Sequence, residues 1–361
     1  MHESMDASTG GLVKGNLEPG RIDAKLIRKK AIQASHARST RSATSSSNQN
    51  SILSYLAGGR PVRPRPPLQQ RRDRGRLGTK ELGPHAFEKS MPSSVRRVLE
   101  NAARPVAENR ISSSGRITRH IYYPNETTGL IPILADLCVL DDTATTYLSH
   151  TESKHIHRIR CDGNFCGYWN IQMLLSHVLT TTNPQRGLPT VLQIQDEIEK
   201  AWSNNICAYG RVETGGVFNT RKWIGTHEAM AFFQQIDIPV SASSFQRGEQ
   251  SAYRDLLDFV ETYYLAGLTP EFEGVDSTTV VTRLPPIYLQ RAGHSLTIVG
   301  LTRHSSSERS LIIFDPSHDT TPTMSRLLTG RSAHATPHSL LQPYLWSEAR
   351  LAAWDEYETL T

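Results

Sequence analysis

The sequence predicts an α+β fold, with a helical part packed on a mainly antiparallel sheet. Apolar residues recur at helical spacing from about residue 166 to 265, and strand-like apolar runs fill residues 279–314. Helices that come first and paired strands that come later read as α+β, not as alternating βαβ units.

The chain has 361 residues and a net charge of +5, but the charge is uneven. Residues 1–110 carry 21 Lys+Arg against 9 Asp+Glu, and the remainder carries 19 against 26. The first part is rich in Ser, Gly, Pro and Arg and lacks sustained periodicity, so 1–110 is expected to be a basic, largely disordered region before a folded body at 111–361. Arg60–Pro67 favours extended polyproline conformations. Arg71–Arg76 is a cationic run suited to nucleic acid or an import receptor, and a solvated tail without a partner is the competing reading.

Order is expected to begin between Leu82 and Ile117, with a short helix over Met91–Leu99. Gly129–Leu140 is an apolar segment too short to cross a membrane. Asn170–Leu179 reads as a helix, because Ile171, Leu174, Leu175 and Val178 fall at i, i+3, i+4 and i+7. Leu192–Trp202 places Ile194, Ile198 and Trp202 on one stripe. Ala229–Ile236 and Tyr253–Leu265 follow the same pattern. Thr279–Thr282, Pro286–Gln290, Ser295–Leu301 and Ser310–Phe314 read as strands, and Trp346–Leu360 as a closing helix.

Several classes are excluded or disfavoured. No long apolar run suggests a membrane span, and the first residues show no signal-peptide core. Four cysteines, Cys138, Cys161, Cys166 and Cys207, do not resemble a disulfide framework in so long a chain. A reducing compartment fits, so a cytoplasmic or nuclear location is expected. There is no Walker A loop and no dinucleotide fingerprint, and Ser295 does not sit in a G-x-S-x-G elbow. No cofactor is expected.

Cys166 lies in a Gly-bounded loop immediately before the helix at Asn170, where unpaired N–H groups and the helix dipole favour a thiolate. A nucleophilic cysteine needs a base, and the base needs an orienting group. Gly293–Gly300 reads as a strand that begins at His294, and Ser310–Asp315 as a strand that ends at Asp315. Folding the two antiparallel about Thr302–Arg309 sets His294 opposite Asp315, Leu296 opposite Ile313, and Ile298 opposite Leu311. One imidazole nitrogen can then face Asp315 and the other Cys166.

Each residue also has a plain structural reading. A lone cysteine by an apolar helix is commonly a small core residue, His294 could fill a core position, and Asp315 could end a strand. His155, His157, Cys161 and Cys166 offer a rival zinc set, but at spacings unlike a usual half-site. A nucleophile on an early helix and a base on a later sheet match the layout of papain-like cysteine proteases.

At these residues the chain resembles peptidase family C78, which processes ubiquitin and ubiquitin-like modifiers. Four blocks carry the resemblance: Cys166–Leu175, Lys222–Glu228, Pro285–Gln290 running into Gly293–Gly300, and Leu311–Pro316. The resemblance implies Cys166 as nucleophile, His294 as base and Asp315 as orienter. It also implies hydrolysis of isopeptide bonds after the Gly-Gly tail of a modifier. The family's Gly-Trp-Gly before the cysteine is Gly163-Asn164-Phe165 here, and its Arg after Cys-Gly-Tyr is Trp169. Asn164, Phe165, Tyr168 and Trp169 are accordingly expected along the substrate channel, and His157 is the candidate side-chain oxyanion donor. The departures leave a catalytically weak or inactive modifier-binding protein of the same fold as the alternative.

Overall fold

The computed structural model describes residues 21–22 and 75–361, apart from 103, 112–113, 142–143, 160–162, 183–186, 249 and 269–277. Most of the basic N-terminal region, with its polyproline run and the first four residues of its cationic run, lies outside the described residues. Residues 75–102 extend the folded body ahead of the expected boundary at 111. Leu82, Ala86, Met91 and Leu99 are buried there, and Glu88 holds Arg221 at 2.7 Å. The Met91 N–H donates to the Asn219 carbonyl, so this segment is tied to the loop before residue 224.

The helices follow the apolar patterns. The six longest among the described residues are α1 (Ser93–Ala102), α2 (Leu130–Asp141), α3 (Cys166–Thr182), α4 (Val191–Ser203), α5 (Thr226–Gln235) and α6 (Ala252–Ala266). Thr190 caps α4 by accepting from the Gln193 N–H, while the Gln193 side chain accepts from the Thr190 N–H. Gly225 precedes α5, and its N–H is bound by Glu228. Residues 167–177 of α3 are buried on every side. That is the behaviour of a helix enclosed between other layers, not one lying on the surface. Among the described residues, no helix is long and apolar enough to cross a membrane.

The main sheet contains β1 (Ala144–Leu148), β2 (Ala242–Gln246), β3 (Thr279–Val281), β4 (Ile287–Arg291), β5 (His294–His304), β6 (Arg309–Phe314), β7 (Leu345–Ser347) and β8 (Glu356–Leu360). Its order is β7-β6-β5-β4-β8-β2, with β1 beside the second half of β5 and β3 parallel to β1. All other neighbours are antiparallel. This is the α+β architecture the sequence predicts.

Strand alternation divides the core. Ile287, Leu289, Leu296, Ile298, Leu311 and Ile313 pack with Leu256, Leu257 and Val260 of α6. Tyr288, Val299, Ile312 and Phe314 pack on the other face, with α3.

Two sequence expectations are corrected. The expected closing helix at Trp346–Leu360 is β7, a single helical turn at Glu348–Leu351, and β8. β8 lies between β4 and β2, and the backbone pairing on both of its edges overrides local helix propensity. The β5–β6 register also differs. Ile298 faces Ile313, not Leu311, and a bulge follows before Gly300 pairs with Ile312. The offset is two residues at Thr297 and Ile298, an even number, so the side chains before the bulge keep their faces.

Candidate active site

Cys166 is the first residue of α3 and is partly buried. The Phe165 carbonyl accepts from the Tyr168 and Trp169 N–H groups, which fixes the first turn. Gly167 is required by close packing: a Cβ there would meet Ile224 Cγ1 at 2.6 Å and the Ile224 carbonyl oxygen at 2.8 Å. The Trp223–Ile224 segment is also tied to the loop before the thiol, because Trp223 Nε1 donates to Asn164 Oδ1 at 3.3 Å.

His294 opens β5, directly after a two-residue turn. Gly293 in that turn has φ of +74°, which favours glycine. His294 Nε2 bonds Asp315 Oδ1 at 2.8 Å, and the ring also makes a hydrogen bond with Cys166. Asp315 lies just past the end of β6. Its Oδ1 accepts from the Ser317 N–H at 2.8 Å and the Ser317 hydroxyl at 2.7 Å as well. Its carbonyl oxygen bonds the buried His155 Nε2 at 3.0 Å, and His318 Nδ1 lies 3.4 Å from Oδ2. The three residues expected to act together therefore form a chain of contacts through His294, although the register that brings them there is not the one expected.

The electrostatics support a charged pair. Burial opposes ionisation of the Cys166 thiol, but contact with His294 and then with Ser295 outweighs it, and the thiol sits below its ordinary value. Burial opposes protonation of His294, yet Asp315 and Cys166 together push it up to about 9. Burial likewise opposes ionisation of Asp315, but His294 and Ser317 hold its carboxyl well below the usual carboxylate range. Burial pushes His155 down to about 4, so it holds the Asp315 carbonyl as a neutral ring.

Of the expected channel residues, Asn164 lies partly buried in the loop before the thiol. Phe165, Tyr168 and Trp169 are buried in the core, where Phe165 and Tyr168 pack ring to ring at 5.7 Å. Buried to that degree, the three side chains form no open wall. His157 contacts Asp319 at 3.3 Å and packs against His155, and neither contact joins it to Cys166. Of the rival zinc set, Cys161 lies outside the described residues, while His155 and Cys166 are engaged with Asp315 and His294.

Sequence reasoning passed over the part that five further side chains play around the thiol. Ser295 Oγ lies 3.9 Å from Cys166 Sγ, and Tyr288 and Gln290 bond that hydroxyl. Asn170 donates to the Cys166 carbonyl at 2.8 Å and accepts from the Thr297 hydroxyl at 2.6 Å. The spacing Cys166-x3-Asn170 was a readable signal, since i and i+4 share a helix face.

The family model for peptidase family C78 matches residues 142–344. The chain is 30% identical to zinc finger-containing ubiquitin peptidase 1 of Rattus norvegicus, over 61% of this chain and 36% of that one. It is 31% identical to the ubiquitin carboxyl-terminal hydrolase mug105 of Schizosaccharomyces pombe, over 42% of this chain and 59% of that one. It therefore spans about a third of the length of the zinc-finger relatives. Among solved structures it is similar to UfSP from C. elegans at 15% identity and a TM-score of 0.33, over 57% of this chain and 32% of that one. The matched segment holds Cys166, His294 and Asp315, and more than half of the chain lies within it: the chain belongs to peptidase family C78.

Proposed function

We propose that this chain is a cysteine peptidase that hydrolyses the isopeptide bond after the C-terminal glycine of ubiquitin or a related modifier. The observation that carries the reading is the chain of contacts from a helix-opening thiol to His294 to a buried carboxylate. Family membership supplies the substrate class.

In this mechanism Cys166 stands as thiolate against the His294 imidazolium. The sulfur attacks the glycine carbonyl carbon, and the resulting oxyanion is met in part by the Cys166 backbone N–H at the start of α3. The imidazolium gives its proton to the leaving lysine amine, the carbon–nitrogen bond breaks, and a thioester remains on Cys166. Neutral His294 then takes a proton from water as the water attacks the thioester, and the thiolate–imidazolium pair is restored. Asp315 keeps its partner nitrogen protonated and stabilises the cation.

A fluorogenic ubiquitin C-terminal amide, assayed with the wild type and with Cys166→Ala, tests the reading. Turnover is expected in the wild type, with a loss on the order of 10⁴-fold or more in the variant. A panel of C-terminally activated modifiers would identify the preferred substrate through covalent capture that depends on Cys166. Measurable binding with no turnover of any modifier in that panel would overturn the enzymatic reading in favour of a binding protein.

A further inference from the structure

The three groups behind the thiol form a closed set of hydrogen bonds. Ser295 Oγ lies 2.5 Å from Gln290 Oε1, 3.0 Å from the Tyr288 hydroxyl and 3.9 Å from Cys166 Sγ. Gln290 Nε2 donates to the Arg291 carbonyl at 2.7 Å, which turns Oε1 toward the two hydroxyls. Tyr288 also reaches Gln290 Oε1, at 3.4 Å. Tyr288 and Ser295 are buried, so no bulk solvent can replace a missing donor.

A count of protons gives two arrangements of this set. With a neutral thiol, Sγ and Tyr288 both donate to Ser295 Oγ, and the Ser295 proton goes to Gln290. With a thiolate, Sγ loses its proton and becomes an acceptor. The Ser295 proton can then swing to the sulfur, while Tyr288 donates to Gln290 Oε1 in its place. The exchange needs two hydroxyl rotations and a small separation of Ser295 Oγ from Gln290 Oε1, which stand 2.5 Å apart only while a proton lies between them.

We propose that Ser295 is the hydroxyl donor that holds the Cys166 thiolate, with Tyr288 as a positioning residue that frees the Ser295 proton by taking over Gln290. The inference rests on Cys166 as the nucleophile and adds a thiolate-holding residue to the proposed Cys166–His294–Asp315 set. Strand alternation requires the placement. Ser295 points to the α3 face, while its neighbour Leu296 packs in the core under α6. The other ionisable groups around the thiol are His294, backed by Asp315, Arg291 and Tyr288 from the sheet, Tyr168 from α3 and Glu228 from α5. The hydroxyls of Tyr288 and Tyr168 bond Ser295 and Gln195, whereas that of Ser295 lies 3.9 Å from the sulfur itself.

The test is the pH dependence of iodoacetamide alkylation at Cys166, followed on the Cys166 peptide by mass spectrometry in the full chain. A hydrogen bond to a charged group is strong enough that Ser295→Ala should move the alkylation inflection up by about one to two pH units. Ser295→Thr keeps the hydroxyl and should restore the wild-type inflection. Tyr288→Phe should move it in the same direction by less, because Gln290 then competes for the Ser295 proton. The double variant Ser295→Ala/Tyr288→Phe should move it no further than Ser295→Ala alone.

Melting temperatures of all variants separate this effect from unfolding, and Tyr288→Phe carries the test if Ser295→Ala does not fold. An inflection unmoved in folded Ser295→Ala or Tyr288→Phe, or additive shifts in the double variant, would overturn the proposal. Alkylation needs no modifier, so failure of the isopeptidase reading would appear separately, in the hydrolysis assay.

Discussion

Strand β5 has two faces only one residue apart, and they are built for different purposes. Leu296 and Ile298 enter an apolar core with Leu256, Leu257 and Val260. Ser295 and Thr297 face α3 and are bonded to the groups around the thiol. The first face contributes non-directional burial that tolerates rearrangement. The second contributes directional bonds among buried polar groups, where each unmade bond is costly. The same strand therefore serves stability on one side and geometry on the other.

The largest effect that separates the two should come from Asp315, which lies just past β6 and whose carboxylate bonds His294 and Ser317. Asp315→Asn keeps an oxygen able to accept from Ser317 and His294, so the geometry should survive while the negative charge is lost. His294 should then fall from about 9 toward its ordinary value. In the wild type, activity should rise as Cys166 ionises through its lowered value and fall as His294 deprotonates near 9. In the variant the alkaline limb should move to lower pH, and kcat should drop on the order of 10²- to 10⁴-fold. A pH–rate profile measures both. An alkaline limb that stays near 9 would mean that Asp315 does not set the charge of His294.

Leu296→Ala should act in the opposite sense. Removing a fully buried leucine should destabilise the chain by about 2–5 kcal/mol, read from the urea midpoint. Activity per folded molecule should stay within about twofold, since the site groups lie on the other face. A large fall in kcat with little change in midpoint would show that the two faces are not separable.

The extent to which this was legible in the sequence depends on the kind of signal. Helices with one apolar stripe, such as Leu192–Trp202 and Tyr253–Leu265, are found within a residue or two of where periodicity puts them. The helix expected at Trp346–Leu360 failed because its residues take backbone partners far away in sequence, which no local pattern records. His294 and Asp315 were readable because an even slip in register preserves the face, although the bulge after Ile298 was not. Ser295 carries no local motif, and only the pairing of β5 with β4 sets it beside the thiol. Phe165 and Trp169 stood out as departures from a motif, but a departure does not say whether a side chain faces substrate or core.

Thr297 offers the finest test of the comparison. Thr297→Val preserves shape and keeps the β-branched side chain suited to a strand, but it removes the hydroxyl that donates to Asn170 Oδ1. Asn170 is left with a buried acceptor unpaired while its amide still donates to the Cys166 carbonyl. The loss in stability should be about 1–2 kcal/mol, smaller than for Leu296→Ala. The effect on activity should be a fall in kcat of a few-fold with KM unmoved, because the bond ties the nucleophile helix to the strand of its base and touches no substrate. Asn170→Ala and the double variant complete the cycle, and a coupling energy of about 1 kcal/mol is expected. Zero coupling would mean that the two elements are held in place by packing alone. In that case the polar face of β5 would work like the apolar one, through burial and not through direction.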